Sequence, residues 1–382
     1  MSITVLAVMG TRPEAVKMAP VVRALQGDDA FDVKVVLTAQ HREMLDQVNR
    51  QFGVTGDVDL DIMRPRQTLT EITTRALEGL SQVYADLKPD IVLAQGDTTT
   101  VFAAALAAFY ARVPFAHVEA GLRTGNKYSP YPEEMNRRLA GVLTDLHFAP
   151  TAEAKQNLRN EQVPADRIFV TGNTVIDALL WAAEHGTRSD ALAWVDALEG
   201  PLILVTAHRR ENWGEPLRQA CEGMRDLLAL VPNANLVYAV HRNPVVRETA
   251  EAVLGDHPRV RLIEPPDYFD FVQLMKRADL ILTDSGGIQE EAPSMGVPVL
   301  VLRDTTERPE AVTAGVARLI GCHRTRIATL GARLLTDPQA RAEMAHAANP
   351  YGDGQAAARI VGILRTHFRL DAAPPAEFVY AK

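Results

Sequence analysis

LILTDSGGIQEEAPSMGVPVLVLRD, residues 280–304, decides the fold. An apolar, β-branched run meets Ser-Gly-Gly, a helical pattern follows, and a second apolar run ends on Arg303 and Asp304, with Arg308 just beyond. Such continuous runs suit strands of a parallel sheet covered by helices on both faces. The unit recurs along the chain. ITVLAVMG, DVKVVLTA, DIVLAQG, PFAHVEA and RIFVTG lie in the first half, LILVTAH, NLVYAVH and VRLIEP in the second, with amphipathic stretches such as TEITTRALEGLSQVYADL between them. The expected class is α/β, built as two successive Rossmann-like, doubly wound parallel-sheet domains. A chain of 382 residues also exceeds one comfortable core. The first domain is expected over 1–172 and the second over 173–354, with the seam near TGNTVIDALLWAAEH. A helix at about 355–370 is expected to pack back on the first domain, and DAAPPAEFVYAK, 371–382, reads as a loose tail.

The balance of 40 Lys plus Arg against 48 Asp plus Glu gives a net charge of -8. That argues against a nucleic-acid or anionic-membrane partner, so an anionic ligand must be met by locally gathered cations. Cys221 and Cys322 stand at no metal-ligand spacing, and a disulfide is not expected. MSITVLAVMG lacks a basic leader and is too short to span a bilayer, so the cytoplasm is the expected compartment.

In open parallel sheets, ligands bind beyond the carboxyl ends of strands. The residues that follow the strands here are Arg12 and Lys17 in MGTRPEAVK, Asp97 in QGD, Glu119 in HVEAG, His208, Arg209 and Arg210 in TAHRREN, and His241 in AVHRNP. Ser285, Gly286 and Gly287 offer amides unobstructed by Cβ atoms, an anion cradle suited to phosphate, and Glu291 one turn on could accept from a ribose diol. A plain tight turn with dipole-satisfying glutamates is the alternative. Taken alone, Asp97 reads first as the N-cap of the helix after it. Glu133 and Arg137, four apart after Pro132, read equally as a surface pair. Lone histidines at strand ends are often structural. Three carboxylates at one sheet edge nevertheless suit an enzyme that moves protons on and off carbon. DLD at 59–61 lies in an alternating strand-like stretch and is not read as a metal motif, and no other metal-binding constellation is found.

GTRPEAVKMAP, TAQHREMLDQ, GDTTT, HVEAGLRTG, YPEEMNRR, FVTGNTVIDALL, DSGGIQEEAPSMG, RDTTERPEAVTAG and NPYGDGQA occur in this order between about residues 3 and 365. Together they resemble the bacterial non-hydrolysing UDP-N-acetylglucosamine 2-epimerases. The resemblance implies a GT-B arrangement with an interdomain active-site cleft, a homodimer, no redox cofactor, and interconversion of UDP-GlcNAc and UDP-ManNAc through 2-acetamidoglucal. It implies diphosphate and uridine contacts at Arg12, Lys17, His208, Phe271, Ser285, Gly286, Gly287, Glu291 and Arg308, and catalytic roles for Asp97, Glu119 and Glu133, with Arg137 nearby. Pro266 stands where relatives often carry a glutamine, so backbone atoms are expected to meet the base. Some relatives bind a second UDP-GlcNAc as activator; Gln40, His41, Glu43, Arg66 and Arg210 match that region.

Overall fold

Every strand pairing in the fold is parallel. A computed structural model describes residues 2–38 and 42–380. The chain divides into unit 1, Met1–Ala178 with Tyr351–Val379, and unit 2, Leu179–Pro350 with Tyr380–Lys382.

Unit 1 opens with β1 (Ile3–Met9), α1 (Arg12–Gln26), β2 (Phe31–Leu37), α2 (Arg42–Phe52), β3 (Val58–Asp59), α3 (Leu69–Leu87), β4 (Ile91–Gln95) and α4 (Thr99–Ala111). It continues with β5 (Phe115–Val118), α5 (Glu133–Leu143), β6 (Leu146–Ala149), α6 (Ala152–Asn160), β7 (Ile168–Val170) and α7 (Thr174–His185), whose second half passes into unit 2. Its sheet runs β3-β2-β1-β4-β5-β6-β7. Both faces are covered: Leu6, Val8, Val92 and Ala94 point into a cluster with Ala76, Leu80, Ala104 and Ala108 of α3 and α4.

Unit 2 contains β8 (Leu202–Thr206), α8 (Glu215–Leu230), β9 (Asn235–Ala239), α9 (Pro244–Leu254), β10 (Val260–Ile263), α10 (Tyr268–Arg277), β11 (Leu280–Thr283) and α11 (Gly286–Glu291). There follow β12 (Val299–Val301), α12 (Pro309–Thr313), β13 (Ala317–Leu319), α13 (Arg324–Thr336) and α14 (Pro338–Ala345). Its sheet runs β10-β9-β8-β11-β12-β13. The final helix, α15 (Ala356–His367), returns to unit 1 and packs on α1.

In each sheet the direction of winding reverses once, between β1 and β4 in unit 1 and between β8 and β11 in unit 2. In doubly wound sheets such a switch point is where ligands bind, beyond the carboxyl ends of the strands. The turn after β1 leads into Arg12, the first residue of α1, and the loop after β4 carries Asp97; the loop after β8 carries His208 and the loop after β11 carries Ser285. The expected ligand edge is thus narrowed to two switch points.

Two boundaries differ from expectation. The first crossing falls at Ala178/Leu179 rather than 172/173, because the first turns of α7 stay tied to unit 1: Asn173 N–H donates to Tyr351 O at 2.7 Å, and the Asp177 carboxylate accepts from Ala356 and Ala357 N–H. The terminal stretch is not loose. Phe378 N–H donates to Val170 O at 2.8 Å, and Glu377 accepts from Val170 N–H and Lys155, so the tail is pinned along β7 and α6. Among the described residues, no helix is long and apolar enough to cross a membrane.

Candidate active site

Asp97 follows β4, but the N-cap of α4 is Thr98, which leaves the aspartate outside the helix. Its carboxylate accepts from Arg137 Nη2 at 2.6 Å, and Asn136 Nδ2 donates to its carbonyl at 3.0 Å. Burial pushes the Asp97 carboxyl above the ordinary range; Arg137 opposes this, and Glu119, Lys17 and Glu133 also act on it. Those five groups therefore share one neighbourhood in unit 1. Arg137 does not form the surface pair with Glu133 read from the sequence, because it reaches Asp97 and, at 3.5 Å, Glu134. Its Nε is buried with no acceptor among the described residues.

Glu119, one residue past β5, has φ 64, a left-handed backbone that costs a residue with a side chain on the order of 1 kcal/mol or more. Its carboxylate accepts from Lys17 Nζ at 2.6 Å, Asn173 Nδ2 at 2.9 Å, and Gln95 Nε2. Lys17 thus bonds a carboxylate of the same cluster. Glu133 opens α5 and is half-buried, whereas Glu134 is buried and accepts from Thr124 and Gly125 N–H, shaping the preceding loop. Arg12 is the exposed first residue of α1.

In unit 2, buried Asp284 organises the cationic loop. It accepts from His208 N–H at 2.9 Å, Arg209 N–H at 2.9 Å and Asn212 Nδ2 at 3.0 Å. Sequence reading missed this role, and Glu14 as well. The available signal was an aspartate ending an apolar strand, where ionisation needs donors. The His208 ring stacks on His241 at 5.8 Å; burial lowers its pKa, with Asp284 pulling it back up. His208, Arg209, Arg210, Trp213, His241 and Asn243 line a recess of about 390 Å³.

Ser285 caps α11, which Gly286 and Gly287 begin, and a Cβ on Gly286 would lie 3.9 Å from Arg209 Nη2. Glu291 is buried and accepts from Tyr268 O–H at 3.0 Å, one turn before half-buried Phe271 on α10. Arg308 Nε donates to Glu290, and Arg303 is held by Glu211 and Glu307, so much of the charge at this edge is paired within the unit. Pro266 lies just before α10. Arg66 sits on the loop before α3 in unit 1, and Arg210 over the Trp213 ring in unit 2. Gln40, His41 and the side chain of Glu43 lie outside the described residues. Among the described residues, no group of three or more His, Cys, Asp or Glu side chains could hold a metal ion.

A family model described as UDP-N-acetylglucosamine 2-epimerase matches residues 23–365. The UDP-N-acetylglucosamine 2-epimerase of Salmonella typhimurium is 56% identical over 370 residues, 95% of this chain and 98% of that protein. A crystal structure from Listeria monocytogenes superposes with a TM-score of 0.94 at 50% identity, covering 99% of this chain and 100% of that one. The Neisseria meningitidis UDP-GlcNAc 2-epimerase, solved bound to UDP-GlcNAc, gives a TM-score of 0.84 at 49% identity over 95% of this chain and 100% of that one.

Proposed function

The chain belongs to the UDP-N-acetylglucosamine 2-epimerase family, and from that premise we propose that it interconverts UDP-GlcNAc and UDP-ManNAc without hydrolysing either. The observation that carries the reading is Asp97 with two further carboxylates and two cations around it, at the carboxyl edge of a parallel sheet.

The hydrogen on carbon 2 of the sugar is barely acidic, because no carbonyl adjoins it. Breaking the bond from carbon 1 to the diphosphate oxygen, with the electron pair leaving on UDP, loosens that hydrogen. A carboxylate takes the proton and a carbon 1–carbon 2 double bond forms, giving 2-acetamidoglucal. Delivery of a proton to the opposite face of carbon 2, with return of the UDP oxygen to carbon 1, completes inversion. Asp97, Glu119 and Glu133 supply the base and the acid. Arg137 favours the ionised form of Asp97, against its burial.

UDP departs with charge, which Arg12, Lys17, His208 and the Ser285–Gly287 amides stabilise. Glu291 accepts from the ribose, Phe271 faces the uracil, and Arg308 supports the nucleotide. The resemblance extends the proposal to a cytoplasmic homodimer that supplies ManNAc for surface polysaccharide, and to a second UDP-GlcNAc as activator near Arg66 and Arg210.

UDP-GlcNAc incubated with the protein in D₂O and followed by NMR tests this reading. Deuterium at carbon 2 of both epimers, with UDP still attached, is expected. Free sugar would assign a hydrolysing epimerase, transfer to an added acceptor a glycosyltransferase, and no change a nucleotide-sugar sensor.

A further inference from the structure

Glu14, on the first turn of α1, is 2% exposed, far more buried than a carboxylate that merely complements a helix dipole. Its Oε2 accepts from Gly10 N–H and Thr11 N–H, both at 2.7 Å, and its Oε1 accepts from Thr98 O–H. Gly10 and Thr11 belong to the turn that delivers Arg12. Thr98 is the residue after Asp97. Nor can the turn relax inward: a Cβ on Gly10 would lie 2.3 Å from Thr38 Oγ1 and 2.6 Å from Thr100 Oγ1, two hydroxyls joined at 3.0 Å.

Backbone amides converging at a strand-to-helix turn are the part of this fold that takes a ligand phosphate. Here a side chain of the same protein fills them. We propose that Glu14 is a positioning residue: its carboxylate acts as a built-in phosphate substitute that closes the amide nest of unit 1 and clamps the loop of Arg12 to the loop of Asp97. The backbone amides of this turn are thereby closed to a ligand anion, whereas those of the Ser285–Gly287 turn of unit 2 are proposed to take one. Burial raises the Glu14 pKa and the hydrogen bonds from Thr98, Gly10 and Thr11 lower it again, so the carboxylate depends on the same donors it organises. The bridge to Thr98, 84 positions away, ties the turn before Arg12 to the residue next to Asp97.

The inference rests on the epimerase reading, and exchange at carbon 2 in D₂O tests the two separately. Glu14→Ala is expected to lower kcat about 100-fold with KM near native, the scale of a misplaced catalytic group, and added formate to restore part of the loss by refilling the nest. Glu14→Gln, whose amide oxygen can take both N–H groups while the Thr98 hydroxyl reverses, is expected to stay within about threefold of native, far from the roughly 100-fold cost of misplacement. Thr98→Val removes the bridge and leaves the turn of α1 intact; it is expected to lower kcat at unchanged KM, and it decides the matter should Glu14→Ala not fold. Native exchange alongside native kcat in Thr98→Val, or a Glu14→Gln loss as deep as that of Glu14→Ala, overturns the role of Glu14 alone. Absence of exchange in the native protein overturns the epimerase reading and this inference together.

Discussion

Asp97 is ionisable in a place that disfavours ions, and Arg137, bonded to its carboxylate, opposes part of the effect of burial. Asp97→Asn keeps the shape and removes the proton acceptor, so turnover is expected to fall about 100-fold or more. UDP affinity by calorimetry is expected to stay near native, and Glu133→Gln is expected to behave likewise; near-normal turnover in both variants would withdraw their assignment. Asp284 does a different job, since three donors of the cationic loop converge on it. Asp284→Ala leaves them buried and unmatched, which is expected to cost about 3 kcal/mol of stability in urea titrations, and to weaken UDP binding. Residue types and their sheet edge were legible in the sequence. Partners were not: Lys17 with Glu119 spans 102 positions, and Arg137 with Asp97 spans 40. Spacing along a chain cannot report such pairs, because the crossovers set them.

At the scale of elements, the short strands show what apolar runs conceal. β3 has two residues, β13 has three, and β6 carries a histidine among four residues, so none of them stands out as an apolar run. Long interior strands such as β1 and β4 were plain, because both their faces are buried. β6 and β5 set His147 beside His117 in register, both 1% exposed. Burial lowers His117 to about 4 and His147 to about 3, the latter helped by the charge on its neighbour. The unfolded chain binds these protons from about pH 6.5 downward while the fold resists them, so stability present above that pH is lost as pH falls toward 4. The loss approaches about 3 kcal/mol per histidine. Urea midpoints at about pH 7 and about pH 4.5 are expected to diverge strongly, and His147→Leu to narrow the gap. An unchanged gap would place acid sensitivity elsewhere.

For the whole molecule, the alternation of runs announced two α/β units, but neither the crossing within α7 nor the anchoring of the tail was legible. Both depend on hydrogen bonds between segments some 180 to 210 positions apart, Ala356 and Ala357 with Asp177 and Phe378 with Val170, and the Arg365–Asp28 pair that helps hold α15 spans 337. Unit 2 is drawn from one continuous stretch, 179–350, apart from the last three residues. Expressed alone, that stretch is expected to melt cooperatively by calorimetry. Residues 1–178 alone are expected not to, until a peptide of residues 351–379 is added; a cooperative melt without it would refute the dependence. The return of α15 to α1 has a consequence for how the protein comes into being. On the ribosome, residues 1–178 must wait for residues 351–379 to emerge, holding the bare face of α1 open while unit 2 is still being made. Slowing translation between residues 179 and 379 prolongs that exposure, so chaperone demand should follow the synthesis of residues 351–379 rather than that of residues 1–178.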